Sequence, residues 1–125
     1  EIKGNLEAYR LNINPIDIHH VMAHASMYIG DSQTMAAEAG VLGVPFIRFN
    51  DFVGRLGYLD DLENKFELGF GIKTQNVENL YIKVKELILM ENRKEIFQKR
   101  RELMLLNKID VTKYLVDLII NYKKK

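Results

Sequence analysis

The fold is decided by the stretch of residues 30–45, whose sequence is GDSQTMAAEAGVLGVP. A short apolar run precedes this stretch. Within the stretch, Ser32 is the predicted N-cap of a helix, because its hydroxyl can accept a hydrogen bond from an unpaired amide of the first turn. The alanine-rich residues 33–42 predict a helix. Gly43 lies where a left-handed residue ends such a helix, and Pro45 suits the first position of a following strand. The stretch therefore predicts a strand–helix–strand unit.

On both sides of this unit, short apolar runs alternate with helical patterns. We predict strands at Tyr9–Ile13, Met27–Ile29, Phe46–Phe49 and Leu68–Ile72. We predict helices from Pro15 to Ala25 and over residues 33–42, 58–66, 77–90, 93–106 and 111–122. Such alternation indicates a parallel sheet. The predicted fold class is α/β, with a truncated Rossmann-like parallel sheet of about four strands and a helical C-terminal part over residues 76–125.

Composition excludes several classes of protein. The 125 residues suit one domain, and the apolar fraction of 47% is sufficient for a core. Because the sequence contains no cysteine, a disulfide scaffold, a thiolate metal site and a cysteine nucleophile are excluded. No apolar run approaches the roughly 20 residues that cross a bilayer, so we expect no transmembrane segment.

Charge is unevenly distributed, although the net charge is only +1. Residues 1–75 carry 6 basic and 10 acidic groups, net −4, and residues 76–125 carry 12 and 7, net +5. A solvated surface is the favoured interpretation, with binding to nucleic acid or a membrane surface as the alternative. We expect no nucleic-acid binding, because Lys123–Lys125 are not interleaved with aromatic residues that could stack on bases.

The turn at Ser32 is a candidate anion site. The first amides of the predicted helix have no internal partner and lie at the positive end of the helix dipole, an arrangement that suits phosphate. Thr34 adds a hydroxyl, and Glu38 lies four residues later on the same helix face. A carboxylate there could accept from two vicinal sugar hydroxyls. The alternative is an ordinary capped helix, with Asp31 or Ser32 as the cap and an exposed glutamate.

The same stretch resembles the C-terminal half of GT-B-type proteins. It is closest to an uncharacterised family related to UDP-N-acetylglucosamine 2-epimerase and the peptidoglycan N-acetylglucosaminyl transferase. The resemblance is carried by Gly30, Ser32, Thr34, Met35, Glu38, Ala39, Leu42, Gly43, Val44 and Pro45, and extends more weakly over residues 13–72.

The resemblance implies a site for a nucleotide-diphosphate-sugar, with UDP as the expected nucleotide. Ser32, Gln33, Thr34 and Met35 would face the diphosphate, and Glu38 would bind the ribose hydroxyls. The sequence departs from the glycine-glycine turn of many members, because Asp31 places a negative charge near the proposed phosphate.

The loop after the third predicted strand supplies further candidates. We expect Arg55 to pair with phosphate through its planar guanidinium, and Asn50 and Tyr58 to hydrogen-bond to a sugar. The alternative is a flexible surface loop. Arg48 lies inside an apolar strand, where a lone guanidinium is costly to bury. It would either reach the cleft at the strand end or pair with an acid such as Asp51.

A metal site receives little support from the sequence. Asp17, His20 and His24 share one face of a predicted helix, at a spacing that can hold a metal. No His-Glu-x-x-His pattern is present, and no further ligand is evident. We therefore expect no metal and no cofactor.

The leading hypothesis is the nucleotide-sugar-binding half of a glycosyltransferase-like enzyme, inactive without a missing N-terminal domain that would precede residues 1–125. The first alternative is an enzyme of the UDP-N-acetylglucosamine 2-epimerase type. The second is a non-catalytic interaction module with a basic helical end. The resemblance implies polysaccharide assembly in the cytoplasm. A homodimer is compatible with the sequence, which carries no signal of oligomeric state and assigns no catalytic residue.

Overall fold

The computed structural model describes residues 5–122, and its centre is a three-stranded parallel sheet. The strands are β1 (Tyr28–Gly30), β2 (Phe46–Phe49) and β3 (Gly69–Ile72), arranged in that order across the sheet. Gly30 lies opposite Arg48, which lies opposite Gly71. The chain is therefore mixed α/β with a parallel sheet, as its alternating pattern predicts.

Within residues 5–122, six α-helices surround or follow the sheet. They are α1 (Ile18–His24), α2 (Gln33–Leu42), α3 (Gly57–Asp60), α4 (Val77–Leu89), α5 (Arg93–Leu106) and α6 (Val111–Ile120). A π-helical segment, Asp61–Lys65, continues directly from α3, and short 3₁₀ turns lie at Glu7–Tyr9 and Pro15–Asp17. None of the helices in residues 5–122 combines the length and the apolar character needed to cross a bilayer.

The central strand β2 organises the core. Phe46, Ile47 and Arg48 have no exposed surface, and both α2 and α4 contact this strand. The register places Gly69 beside Phe46, and a Cβ added to Gly69 would overlap the Phe46 ring. Successive side chains of a strand point to opposite faces. A central strand covered on both faces is therefore apolar along its length, apart from Arg48.

The local signals around α2 are confirmed. Ser32 is the N-cap, and its Oγ accepts from the Met35 amide at 3.3 Å. Gly43 ends the helix in the left-handed conformation with φ of 76°, and its amide and that of Val44 bond back to α2 carbonyls. The strand boundaries Phe46–Phe49 also agree with the sequence prediction.

Helix α5 packs against the carboxyl end of α2 through polar side chains. Gln98 Nε2 donates to the Leu42 carbonyl at 3.0 Å, and Arg101 Nε donates to the Val41 carbonyl at 2.7 Å. These donors satisfy carbonyls that have no partner inside a helix, and the arginine also suits the negative end of the dipole. Part of the basic excess of residues 76–125 therefore serves packing rather than a freely solvated surface.

The predicted strand Tyr9–Ile13 is wrong, so the described sheet has three strands rather than about four. Tyr9 ends a 3₁₀ turn, and residues 10–14 have no regular structure. Tyr9 and Leu11 are largely exposed. Apolar alternation forms a strand only where a neighbouring strand supplies hydrogen bonds and a core covers one face. Neither condition is met at this segment within residues 5–122.

The predicted helix over residues 58–66 divides into two forms. Its first turn is α3, and the Phe66 amide then bonds to the Asp61 carbonyl five residues earlier at 3.0 Å. This i to i+5 bond defines a π-helical turn. The wider turn contains Glu63, whose partner in the sheet is described below.

Candidate functional site

The candidate site is the carboxyl rim, which we define as the loops that follow the three strands, residues 31–33, 50–52 and 73–75. In open α/β sheets ligands bind at this end of the strands. Side chains tie the loops together. Asn50 Nδ2 donates to the Asp31 carbonyl at 2.7 Å, and Asp51 Oδ1 accepts from the Thr74 amide and hydroxyl at 3.1 and 2.6 Å. The loops therefore form one connected surface.

The N-terminus of α2 opens onto the carboxyl rim. Because Ser32 Oγ accepts from the Met35 amide, that amide is satisfied inside the cap. The amides of Gln33 and Thr34 have no intrahelical acceptor, as in any first helical turn. Thr34 is exposed, whereas Met35 is half-buried and packs against the core. The part of the predicted diphosphate site that faces solvent is therefore the Gln33 and Thr34 backbone with the Thr34 hydroxyl.

Tyr28 is a neighbour of this turn that the sequence analysis missed. Its side chain lies over Gly30, where an added Cβ would overlap the phenol oxygen. Burial raises the pKa of the Tyr28 phenol, whereas hydrogen bonding to the Ser32 backbone and side chain opposes the rise. The phenol therefore lies beside the amide of the N-cap residue. A tyrosine two residues before a glycine is the sequence pattern that could have predicted this contact. Residues i and i+2 share one face of a strand, and glycine has no side chain to block the tyrosine ring.

Asp31 does not serve as the helix cap. Ser32 has that role, and Asp31 is exposed on the carboxyl rim, where its backbone carbonyl accepts from Asn50. The negative charge also contributes to the raised pKa of Tyr28. The Asp31 carboxylate therefore adds negative charge to the carboxyl rim, which opposes the binding of an anion there.

Glu38 lies one turn further along α2 and faces α1. Its carboxylate oxygen Oε2 is 3.3 Å from His19 Nε2, and its side chain keeps 37% of its surface exposed. The carboxylate is thus partly accessible and lies beside the exposed side chain of His19. The Thr34 and Glu38 spacing places both side chains on one face of α2, as predicted.

Asn50 belongs to the carboxyl rim, but its side chain is committed to the fold. The residue is 8% exposed, and its Oδ1 accepts from the Phe52 amide at 3.0 Å while its Nδ2 binds Asp31. Both polar atoms of the amide are therefore used. Asn50 positions the turn before α2 and is poorly placed to bind a sugar directly.

Arg55 and Tyr58 lie in the loop and helix that follow β2. The Arg55 guanidinium is 5.7 Å from the centroid of the Phe52 ring. The pKa of the Asp51 carboxyl is lowered chiefly by its hydrogen bonds with Thr74, and the Arg55 charge makes only a small addition. Tyr58 is exposed in α3. Among residues 5–122, no hydrogen bond or ion pair joins either side chain to α2. The predicted phosphate and sugar contacts of these residues stay predictions.

Arg48 pairs with an acid, but that acid is Glu63 rather than Asp51. Arg48 Nε donates to Glu63 Oε1 at 2.9 Å, and a terminal nitrogen donates to Oε2 at 3.1 Å. The side chains are 0% and 6% exposed. Burial raises the pKa of the Glu63 carboxyl, and the Arg48 charge opposes the rise. Sequence reasoning could not choose Glu63, because a π-helical turn brings it to the sheet.

A cavity of about 460 Å³ lies along the outer edge of β3, between α4 and the π-helical turn. Glu63, Gly69, Gly71 and Lys83 are among its lining residues. None of the eight predicted site residues lines it. The candidate site and this cavity are therefore separate places on the molecule.

His20 and His24, which share a predicted helix face with Asp17, both lie on α1, and Asp17 immediately precedes that helix. His24 Nδ1 lies 2.8 Å from the His20 carbonyl, whereas His19 approaches Glu38. Within residues 5–122 there is no group of three or more histidine and acidic side chains arranged to hold a metal ion. The candidate site is therefore built from amides, hydroxyls and one accessible carboxylate.

Comparison with known proteins adds no relative: no protein-family model, curated protein or solved structure matches this chain.

Proposed function

We propose that this chain is the nucleotide-diphosphate-sugar-binding part of a glycosyltransferase-like enzyme, with a Rossmann-like sheet and UDP as the nucleotide. The observation that supports it most is the position of α2. Its N-terminus opens onto the carboxyl rim of a parallel sheet, and an accessible carboxylate, Glu38, follows on the same face as Thr34. The sequence resemblance of residues 30–45 supports the same assignment.

In this proposal the diphosphate accepts hydrogen bonds from the Gln33 and Thr34 amides and from the Thr34 hydroxyl. Oriented amides stabilise negative charge without reorganising, which also favours departure of a nucleoside diphosphate from a sugar. Arg55 supplies the positive charge that offsets the Asp31 carboxylate. The acceptor substrate and the catalytic base belong to a second domain, so these 125 residues alone bind but do not transfer.

Glu38 accepts from the ribose 2′- and 3′-hydroxyls in this arrangement. His19 holds the carboxylate from the side of α1 at 3.3 Å. A hydrogen bond to a charged group contributes about 1.5–3 kcal/mol, so losing the carboxylate weakens binding by about 10- to 150-fold.

The deciding experiment is calorimetric titration of the folded chain with UDP and with 2′-deoxy-UDP. We expect UDP to bind more tightly than the deoxy compound, and Glu38→Ala to weaken UDP binding and remove the difference between the two ligands. Glu91→Ala is the matched control, because Glu91 is an exposed glutamate outside the carboxyl rim. The proposal is refuted if UDP does not bind at millimolar concentration, or if Glu38→Ala and Glu91→Ala weaken UDP binding equally.

A further inference from the structure

The cavity of about 460 Å³ along the outer edge of β3 is not used by the proposed function. It is bounded by the strand and by the two layers that cover the sheet. We define it as the edge slot, with Gly69–Ile72 as its floor, Asp60 and Glu63 on one wall, and Ile82 and Lys83 on the other.

The floor of the edge slot consists of backbone groups that lack a partner strand. The Asn50 amide donates to the Ile72 carbonyl at 3.1 Å, which directs the backbone groups of Ile72 toward β2. Backbone groups of successive strand residues point to opposite edges, so those of Gly69 and Gly71 point away from β2. Within residues 5–122 no strand lies beside this edge.

The strand β3 is open to pairing with another extended segment. Charged side chains, proline or a bulge normally keep an edge strand unpaired. Within Gly69–Ile72 the sequence is Gly-Phe-Gly-Ile, and the register with β2 is continuous. Gly69 is buried and Gly71 is half-buried, so their backbone groups gain more from a hydrogen-bond partner than exposed groups would.

The walls of the edge slot lie on opposite faces of the sheet. Phe70 and Gly71 are consecutive strand residues, so they face opposite sides. Lys83 Nζ of α4 lies 4.5 Å from the centroid of the Phe70 ring, whereas a Cβ added to Gly71 would overlap the Glu63 carboxylate on the π-helical turn. The slot is therefore the space between α4 and the π-helical turn into which a fourth strand would fit.

This shape selects one bare strand rather than a folded surface. Helices cover both faces of a parallel sheet, and the helices of a second sheet would meet α4 and the π-helical turn. A strand as long as β3, four residues, extends about 13 Å. The second domain of the proposed function must reach the nucleotide-sugar at the carboxyl rim, at the ends of the strands, whereas the slot opens along the side of β3.

The charge in the edge slot favours a basic segment. Glu63 pairs with Arg48, and Lys83 Nζ lies 2.6 Å from Glu86 Oε2, which also lines the slot. Within residues 5–122 Asp60 forms no ion pair. Burial raises the pKa of the Glu63 carboxyl and the nearby Asp60 charge adds to the rise, so the two carboxyls lie close together. The slot therefore carries one uncompensated negative charge, on the wall that contains Asp60.

We propose that the edge slot binds an extended peptide segment of a partner protein, which adds a fourth strand beside β3 and directs a lysine or arginine side chain toward Asp60. Backbone hydrogen bonds to Gly69 and Gly71 supply the affinity, and Asp60 selects the basic side chain. This binding is independent of whether the carboxyl rim binds a nucleotide.

The first experiment measures binding of the folded chain to the fluorescein-labelled peptide Thr-Val-Lys-Val-Thr by fluorescence anisotropy. Only one of the two alternate sets of peptide nitrogens can face β3. We expect N-methylation of one set to weaken binding by about tenfold, because backbone hydrogen bonds are lost, and methylation of the other set to have little effect. No binding at millimolar chain concentration, or equal effects of the two methylation patterns, overturns the proposal.

The second experiment tests the walls with matched variants. Ile82 and Ile88 both lie on α4 and are 55% and 62% exposed, but only Ile82 lines the slot. We expect Ile82→Lys to weaken peptide binding by about fivefold, because it repels the basic peptide, and Ile88→Lys to leave binding unchanged. Circular dichroism of each variant checks that the fold is retained.

The charge preference is tested with Asp60→Asn, and Asp61→Asn is its control, because Asp61 adjoins Asp60 in the chain but lies outside the slot. Asp60→Asn should weaken binding of the lysine peptide by about threefold and leave binding of the glutamine analogue unchanged. Equal weakening by a variant and its control, in either pair, overturns the proposal. Self-association that Ile82→Lys abolishes, without peptide binding, also overturns it and assigns the slot to a second copy of the chain.

Discussion

Removing one partner of the Arg48–Glu63 pair should destabilise the fold by an amount that depends on which partner is removed. Glu63→Leu leaves the Arg48 guanidinium buried, with only the Phe52 carbonyl at 3.5 Å as a remaining acceptor. A guanidinium cannot lose its charge in a protein. Breaking a buried pair in this way costs about 3–5 kcal/mol. Because a domain is stable by only about 5–15 kcal/mol, this change removes a large fraction of the total.

Arg48→Met should cost less than Glu63→Leu. The Glu63 carboxyl left behind can take up a proton, and burial already raises its pKa. A carboxyl whose pKa is raised on folding contributes stability below its unfolded pKa and loses it as the pH rises through the folded value. The loss of unfolding free energy that Arg48→Met causes, relative to the native chain, should therefore shrink in mild acid. The loss caused by Glu63→Leu should change little with pH.

The double variant Arg48→Met/Glu63→Leu should be about as stable as the native chain or more stable, because well-packed apolar residues commonly replace a buried pair without loss. Urea denaturation of all four proteins, at neutral and mildly acidic pH, gives the coupling energy of the double-mutant cycle. The exposed pair Lys99–Glu95, 2.8 Å apart on one helix, is the control and should show much weaker coupling. If the losses of unfolding free energy in the two single variants simply add up in the double variant at every pH, the reasoning is refuted.

Three further predictions concern the turns at the carboxyl rim and the end of α2. Ser32→Ala should lower the free energy of unfolding by about 1 kcal/mol, because the Met35 amide loses its acceptor, and urea denaturation measures this. In the same urea measurement, Gly43→Ala should lower the free energy of unfolding more than Gly54→Ala does. Both glycines have positive φ, but only at Gly43 would the new Cβ displace the Gln98 side chain from the Leu42 carbonyl. Thr74 lowers the pKa of the Asp51 carboxyl, so this contact stabilises the fold above the unfolded pKa and is lost as the pH falls through the folded value. A carboxyl-carbon NMR titration should show a higher Asp51 pKa in Thr74→Val, and an unchanged value would contradict the assignment.

Within the candidate site, the sequence predicted the features that depend on residues close together along the chain. Ser32 as a cap, Gly43 as a left-handed residue and the shared face of Thr34 and Glu38 all follow from spacing along one helix. The roles of Asn50 and Tyr28 did not follow. Asn50 binds the carbonyl of Asp31, 19 residues earlier, and that contact exists only because two parallel strands end side by side.

The amino-acid pattern was enough to predict the parallel α/β architecture, the bounds of β2, α2 and α5, and the cap and stop signals of α2, because each depends on local hydrogen bonding and periodicity. Contacts between residues far apart in the chain settle that Tyr9–Ile13 forms no strand, that Arg48 pairs with Glu63 and that α6 is exposed within residues 5–122. Strand pairing, burial of a charge and exposure of an apolar helix are set by what lies across space from a residue. A sequence pattern records the side chain that is present, but the energy of burying or pairing it depends on neighbours that only the folded chain supplies.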